Sequence, residues 1–233
     1  MLGLRVISLV PSVTETMISW GINPIACTRF CKQNLIAKVG GTKDPKIEEI
    51  IALKPDLVIM DKEENRLEDF ETLTSHGIHV HTLHIQTIND LDAQLQPLAE
   101  KVGAKWRPLE IGSPNQITLR AFVPIWRNPW MALGQDTYAG SLLHHLGVAL
   151  VPSSGEKYPR TSLEEIKALS PQVVLAPSEP YPFTSRQLPE LTQVGPVYFL
   201  DGQDLFWWGS RTQQATENIR QLLNQVLSNT FTQ

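Results

Sequence analysis

Long apolar runs are missing from this chain of 233 residues: none approaches the ~20 that a membrane-crossing helix needs, so no transmembrane helix is expected. Positive charge is also in short supply. Lys and Arg number 20 against 24 Asp and Glu, for a net charge of −4. The basic residues are scattered, which leaves no electrostatic footprint for nucleic acid. Cysteine is scarcer still, with only Cys27 and Cys31. Two are too few for a disulfide framework, and no further Cys or His stands at zinc-site spacing. Their four-residue separation in a predicted loop permits a bridge in an oxidising compartment; two free thiols is the expectation. Catalytic signatures are lacking too: there is no Gly-x-Ser-x-Gly elbow, no phosphate loop, no His-Glu-x-x-His and no dinucleotide fingerprint. What remains, 42 % hydrophobic and 19 % charged, is the composition of an ordinary globular protein. Its length lies near the size at which one core splits into two.

The most informative feature that is present is a repeat. Ile47-Glu-Glu-Ile-Ile-Ala-Leu-Lys-Pro-Asp-Leu-Val-Ile59 returns 116 residues later as Leu163-Glu-Glu-Ile-Lys-Ala-Leu-Ser-Pro-Gln-Val-Val-Leu175, identical at seven of thirteen positions. A period of half the chain predicts two copies of one unit rather than a solenoid. Two lobes leave a cleft, and clefts at domain interfaces take small ligands.

Each half alternates strand and helix. In the first, Leu4–Val10 reads as a buried parallel strand, and Ser12 with Glu15 as a capping box opening a helix to Gly21. Pro24–Cys27 reads as a short strand, and Asp44 as the cap of a helix with Pro45 at its first position. Strand Asp56–Met60, helix Glu64–His76 and strand Ile78–Leu83 follow. In the second half the spacing predicts strand 116–125, helix 136–146, strand 148–151, a helix capped by Ser162 and Glu165, strands 172–175 and 197–200, and helix 212–227. Between them, apolar residues from Ile88 to Val102 fit one amphipathic helix kinked at Pro97. The expected class is α/β: two Rossmann-like lobes with parallel sheets, residues 1–87 and 106–233, joined by a connecting helix at 88–105.

Val6-Ile-Ser-Leu-Val-Pro-Ser-Val-Thr-Glu15, Val39-Gly-Gly-Thr-Lys-Asp-Pro45, Ala52-Leu-Lys-Pro-Asp-Leu-Val58, Lys62-Glu-Glu-Asn65 and Asp201-Gly-Gln-Asp-Leu-Phe-Trp-Trp-Gly-Ser-Arg211 together resemble the class III substrate-binding proteins. These are the helical-backbone metal-chelate receptors of ABC importers. The resemblance spans essentially the whole chain and is closest to the cobalamin-binding branch. It implies non-catalytic binding of a metal chelate in the inter-lobe cleft: cobalamin or another corrinoid, otherwise haem or a ferric siderophore. It implies no cofactor of the protein's own, no resident metal, a monomer, and an ABC permease as a partner to consider. Two departures stand out. The connecting helix is short, and Met1–Val10 lacks the basic start and cleavage site of a secretory leader. The expectation is therefore a cytoplasmic location, or a periplasmic one if the N-terminus has been trimmed. The alternatives are a cytosolic enzyme or chelate-handling factor on the same fold, and a pure interaction module.

In parallel sheets, ligands sit beyond the carboxyl ends of strands. That rule selects Pro11, Ser12, Thr14, Arg29, Phe30, Thr42, Lys43, Lys62 and His84 in the first lobe. In the second it selects Trp126, Arg127, Trp130, Tyr181, Phe183, Asp204, Trp207, Trp208 and Arg211. Aromatic faces suit a large flat ligand, and arginine forks suit carboxylate, amide or phosphate groups. Asp204 also matches a ligand-contacting position of the cobalamin branch. His76, His79, His81 and His84 are read as strand and edge residues rather than metal ligands. By resemblance, Glu68 and Glu190 are the candidates for docking onto a permease.

Overall fold

The computed structural model describes residues 4–230; Met1–Gly3, part of the segment inspected for a leader, lie outside them. Two compact units emerge. One holds the residues up to Ile85, Asn89–Pro108 and Trp208–Ser210; the other holds Gln86–Ile88, Leu109–Trp207 and the chain from Arg211 onward.

The first unit runs β1 (Val6–Ser8), α1 (Pro11–Ser19), β2 (Ala26–Cys27), β3 (Ala37–Lys38), α2 (Ile47–Ala52), β4 (Leu57–Asp61), α3 (Leu67–Ser75), β5 (Val80–Leu83) and α4 (Asp90–Lys101). Its strands form one sheet in the order β3-β2-β1-β4-β5, every pairing parallel. The central strands are buried on both faces, so they read as continuous Val, Ile and Leu rather than as an alternation. Ile7, Leu9, Val58 and Met60 pack there against Ile50 of α2 and Leu73 of α3.

The second unit runs β6 (Leu119–Phe122), β7 (Pro124–Trp126), β8 (Trp130–Ala132), α5 (Tyr138–His145), β9 (Val148–Val151), β10 (Arg160–Thr161), α6 (Leu163–Ala168), β11 (Val173–Pro177), α7 (Leu188–Leu191), β12 (Val197–Leu200), α8 (Gly202–Phe206) and α9 (Thr212–Thr230). A parallel sheet of order β12-β11-β6-β9 packs Phe122, Val174 and Ala176 against Ile166 and Leu191. Beside it lies a small antiparallel sheet, β10-β8-β7.

The sequence repeat is a repeat of contacts. Arg5 Nη2 donates to Leu53 O, the end of α2, at 2.6 Å, and Arg120 Nη2 donates to Leu169 O, the end of α6, at 2.8 Å. Each guanidinium thus satisfies a carbonyl orphaned at a helix C-terminus and complements the negative end of the helix. The backbone N–H of each arginine donates to the side chain just before the following strand, Asp56 Oδ2 ahead of β4 and Gln172 Oε1 ahead of β11, both at 2.8 Å. Both helices stop through a left-handed residue, Lys54 at φ 46° and Ser170 at φ 50°.

Several boundaries differ from expectation. Ser12 and Glu15 form no capping box: α1 starts at Pro11, with Val10 as an N-cap that makes no side-chain bond. Pro11 supplies the preset φ of a first helical residue, which moves the start one position earlier. Asp44 caps nothing either, because α2 begins at Ile47 and the Asp44 carboxylate is held by Arg29. The capping box at Ser162 and Glu165 is present in both directions. The strand expected over 116–125 is two strands in two sheets. After β6 the chain leaves the parallel sheet, and β7 pairs antiparallel with β8. Helix α3 begins at Leu67, since Asn65 is tied by its Nδ2 to Leu9 O and Thr42 O. Asp204, selected as lying beyond a strand end, belongs to a short helix, α8, capped by Asp201 accepting from Gln203 N at 2.8 Å. No described helix is long and apolar enough to cross a membrane.

Candidate functional site

In the second unit, the ends of β7 and β11 bring four aromatic rings into a row. Trp126 meets Tyr181 edge to face at 5.7 Å, Tyr181 lies 4.7 Å from Phe183, and Phe183 stacks on Trp130 at 6.0 Å. The rings differ in exposure. Trp126 is 45 % exposed and Phe183 only 3 %. Phe183 therefore belongs to the hydrophobic core with Phe122 and Ile166 and offers no face to a ligand here, a correction to its selection as a ligand contact. A tight turn sets the two tryptophans: Asn128, at φ 65°, and Pro129 separate β7 from β8. Beside the row, the Arg127 fork holds Glu190 through Nε at 3.0 Å and Nη2 at 2.8 Å. That carboxylate, with the Tyr181 phenol, holds the Arg127 pKa above its ordinary value. Glu190, expected as a docking residue, is thereby engaged inside its own unit.

The end of β12 carries a second polar group. Asp204 Oδ1 accepts from Arg211 at 3.2 Å and Oδ2 from Asn218 at 2.8 Å, and the Arg211 guanidinium lies 5.4 Å from the Trp207 ring centroid. Trp207 is half-buried. Trp208 is not a ligand-facing ring in this structure: at 5 % exposure it is buried within the first unit, where Ser210 N donates to Thr16 Oγ1 at 3.0 Å. A side chain at the intervening Gly209, φ 113°, would collide with Thr16. That close approach is what turns the tryptophan inward.

In the first unit, the selected residues divide by accessibility. Pro11, Ser12 and Thr14 are buried, with Thr14 Oγ1 donating to Val10 O at 3.1 Å. Arg29 and Phe30 are exposed. Arg29 grips Asp44 through two bonds of 2.7 and 3.0 Å, and its guanidinium lies 5.0 Å from the Phe30 centroid. Thr42 is half-buried, and Lys43 Nζ donates to Glu63 O at 2.8 Å. Lys62 is exposed, and His84 is clamped by the Gln94 amide, which accepts from its backbone N–H and donates to its carbonyl. Glu68 is exposed and paired with Arg66 at 2.6 Å.

A family model described as "Periplasmic binding protein" matches residues 6–113. The vitamin B12-binding protein of Salmonella paratyphi A is 27 % identical over 193 residues, spanning 73 % of this chain and 71 % of that one. The periplasmic vitamin B12 binding protein BtuF of Vibrio cholerae superposes with a TM-score of 0.72 at 21 % identity, covering 96 % of this chain and 97 % of its own. The periplasmic heme-binding protein RhuT from Roseiflexus sp. RS-1 gives 0.76 at 14 % identity, covering 96 % and 99 %. The family match thus lies in residues 6–113, and the chain as a whole shares the fold of these solved proteins. Its α/β architecture is that of the class III members, as the sequence motifs implied.

Strand-end reasoning reached one further feature of the chain only in part, through Lys62. A cavity of about 420 Å³ lies where β4 runs into α3, lined by Met60, Asp61, Lys62, Asn65, Arg66, Leu67, Phe70 and Thr82. Leu67 is 71 % exposed at its rim. The available signal was apolar Leu67 and Phe70 in an otherwise polar helical segment. Asp61 beneath is buried, and its burial raises the carboxyl pKa against the backbone N–H groups of Glu63 and Glu64 that donate to it. Among the described residues, no three or more His, Cys, Asp or Glu side chains are grouped to hold a metal.

Proposed function

We propose that this chain is a non-catalytic receptor for a metal chelate, with a corrinoid as the ligand class. The observation that carries the reading is the Trp126–Tyr181 edge beside the Arg127–Glu190 pair, where β7 of the antiparallel sheet ends against the loop after β11 of the parallel one. An exposed indole offers a flat apolar face, and the Arg127–Glu190 pair beside it gives that face a polar border for a substituted macrocycle. On the first unit, the exposed Phe30 face and the Arg29–Asp44 pair offer the same combination. The named relatives add support, since the proteins that this chain resembles bind vitamin B12 and haem. The charged groups along these edges are held in ion pairs, which suits binding of a preformed complex without turnover. An importer permease is the partner this function calls for, and Glu68 is the exposed lobe-one carboxylate through which it would dock.

Titration of the purified chain with cyanocobalamin, cobinamide, haemin and a ferric hydroxamate siderophore tests the proposal. The expected outcome is a shifted corrinoid visible spectrum with micromolar or tighter affinity. Tighter binding of haemin than of either corrinoid would move the assignment to haem, and flat titrations with all four would refute chelate binding.

A further inference from the structure

The loop after β2 gathers two sulfur atoms and an ammonium group that the chelate reading does not use. Cys27 ends β2 and is fully buried, while Cys31 keeps 5 % exposure. The backbone turns between them, with Cys31 N donating to Thr28 O at 3.1 Å. Lys38 stands opposite Cys27 in the β2–β3 pairing. Its Nζ lies 3.2 Å from Cys27 Sγ and donates to the carbonyls of Cys31 and Gln33 at 3.0 and 2.7 Å. Cys31 Sγ lies 3.3 Å from Thr14 Oγ1 and 3.4 Å from Thr28 Oγ1. The Cys27 thiol is hydrogen-bonded to that sulfur, and both cysteines are free.

Drawing a lysine charge against a buried thiol is costly unless that charge has something to neutralise, and a thiol pair sharing one negative charge supplies it. We propose that Cys27 and Cys31 form a peroxide-responsive dithiol in which Cys31 attacks and Cys27 resolves. Of the pair, Cys31 is the acidic member. The hydrogen bond from Cys27, the Thr14 and Thr28 hydroxyls and the Lys38 charge bring it down to about 6 against its burial. Cys27, bonded to that sulfur and desolvated, is pushed up. The titratable groups facing Cys31 are thus Cys27 and Lys38, and an acidic thiol that keeps some exposure beside a resolving thiol is the arrangement that peroxide oxidises selectively.

In the first step the Cys31 thiolate attacks one oxygen of hydrogen peroxide. The O–O bond breaks, leaving a sulfenic acid and a hydroxide ion that becomes water with the proton Cys31 released on ionising. In the second step Cys27 sulfur attacks Cys31 Sγ and the S–O bond breaks. The departing hydroxide leaves as water with the Cys27 proton, so two thiols and one peroxide become one disulfide and two waters. The bridge closes a ring around Thr28, Arg29 and Phe30. Any effect on ligand binding through Arg29 and Phe30 rests on the chelate reading; formation of the bridge does not.

The test is treatment of the reduced full chain with hydrogen peroxide, read by intact mass and peptide mapping. The expected product has lost two hydrogens, maps to a Cys27–Cys31 bridge and reverts with dithiothreitol. Cys27→Ala should stop at a Cys31 sulfenic acid trapped by dimedone, and Cys31→Ser should leave Cys27 unmodified at the same dose. Lys38→Met should move the pH midpoint of the reaction upward. Two thiols that stay intact in folded wild type while free cysteine is oxidised would overturn the proposal, as would a dimedone adduct on Cys27. If the cysteine variants fail to fold, the wild-type chain decides alone, because a bridging rate that does not vary between pH ~5 and ~8 contradicts a titrating Cys31.

Discussion

Replacing Trp126 with alanine separates the ligand-binding role of the aromatic row from its packing role. The indole is 45 % exposed. A tryptophan carries up to ~250 Å² of surface to bury, so about 110 Å² stays open for a ligand to cover. At ~25 cal/mol per Å² that area is worth about 2.8 kcal/mol as an upper value. A loss of that size weakens binding about a hundredfold. Among the described residues the ring has one aromatic partner, Tyr181 at 5.7 Å, and such a pair contributes about 0.5–1.5 kcal/mol. The variant is therefore expected to unfold in urea within about 1.5 kcal/mol of wild type while its cobinamide affinity falls by one to two orders of magnitude. The pairing of measurements matters, because a core residue would give the opposite pattern. An affinity within twofold of wild type, in a variant that stays folded, would refute the assignment of this edge to the ligand.

Arg5→Met and Arg120→Met each remove one helix-ending guanidinium, and each is expected to cost about 1–2 kcal/mol by urea denaturation. Unequal losses would show that the two copies have diverged in energetics while keeping their geometry. Phe183→Ala, in contrast to the Trp126 variant, should destabilise by about 3–5 kcal/mol, since its ring is 3 % exposed within the core. A change below 1 kcal/mol would return Phe183 to the list of ligand contacts. Burial, and after it Lys101, lowers the His81 pKa below its ordinary value of 6.5. The folded state thus takes up this proton less readily than the unfolded chain, so stability should fall as pH drops below about 6.5. His81→Gln should flatten that limb of a thermal-denaturation series, and an unchanged slope would exclude His81 as its source.

Much of the secondary structure was legible because it repeats a pattern with a physical cause. Apolar strands such as Val148–Val151 and Val197–Leu200 appear where their β-branched and aromatic residues put them. The Ser162 capping box is fixed by two residues three apart and needs no long-range partner. Where a competing contact lay far away in sequence, local signals misled. Asp44 looks like a helix cap, but Arg29, fifteen residues earlier, captures its carboxylate. Ser12 looks like another, but Pro11 has already opened the helix. The site shows the same division. Strand-end logic brought Trp126, Arg127 and Tyr181 into view, and these residues do gather on one edge. That logic also selected Phe183 and Trp208, since aromatic character says nothing about which side of a loop a ring will occupy.

The sequence by itself determined the two-fold plan, the parallel α/β class and the aromatic character of the strand ends, because periodicity, turn residues and repeated motifs act over short distances. Tertiary structure alone decided which of those groups are spent on the protein itself. Glu190 is taken by Arg127 and Asp204 by Arg211 and Asn218, while Gly209 lets the chain press against Thr16 and turn Trp208 inward. Such pairings join residues up to 194 positions apart. Their partners are chosen by how the layers stack, a choice that no local pattern encodes.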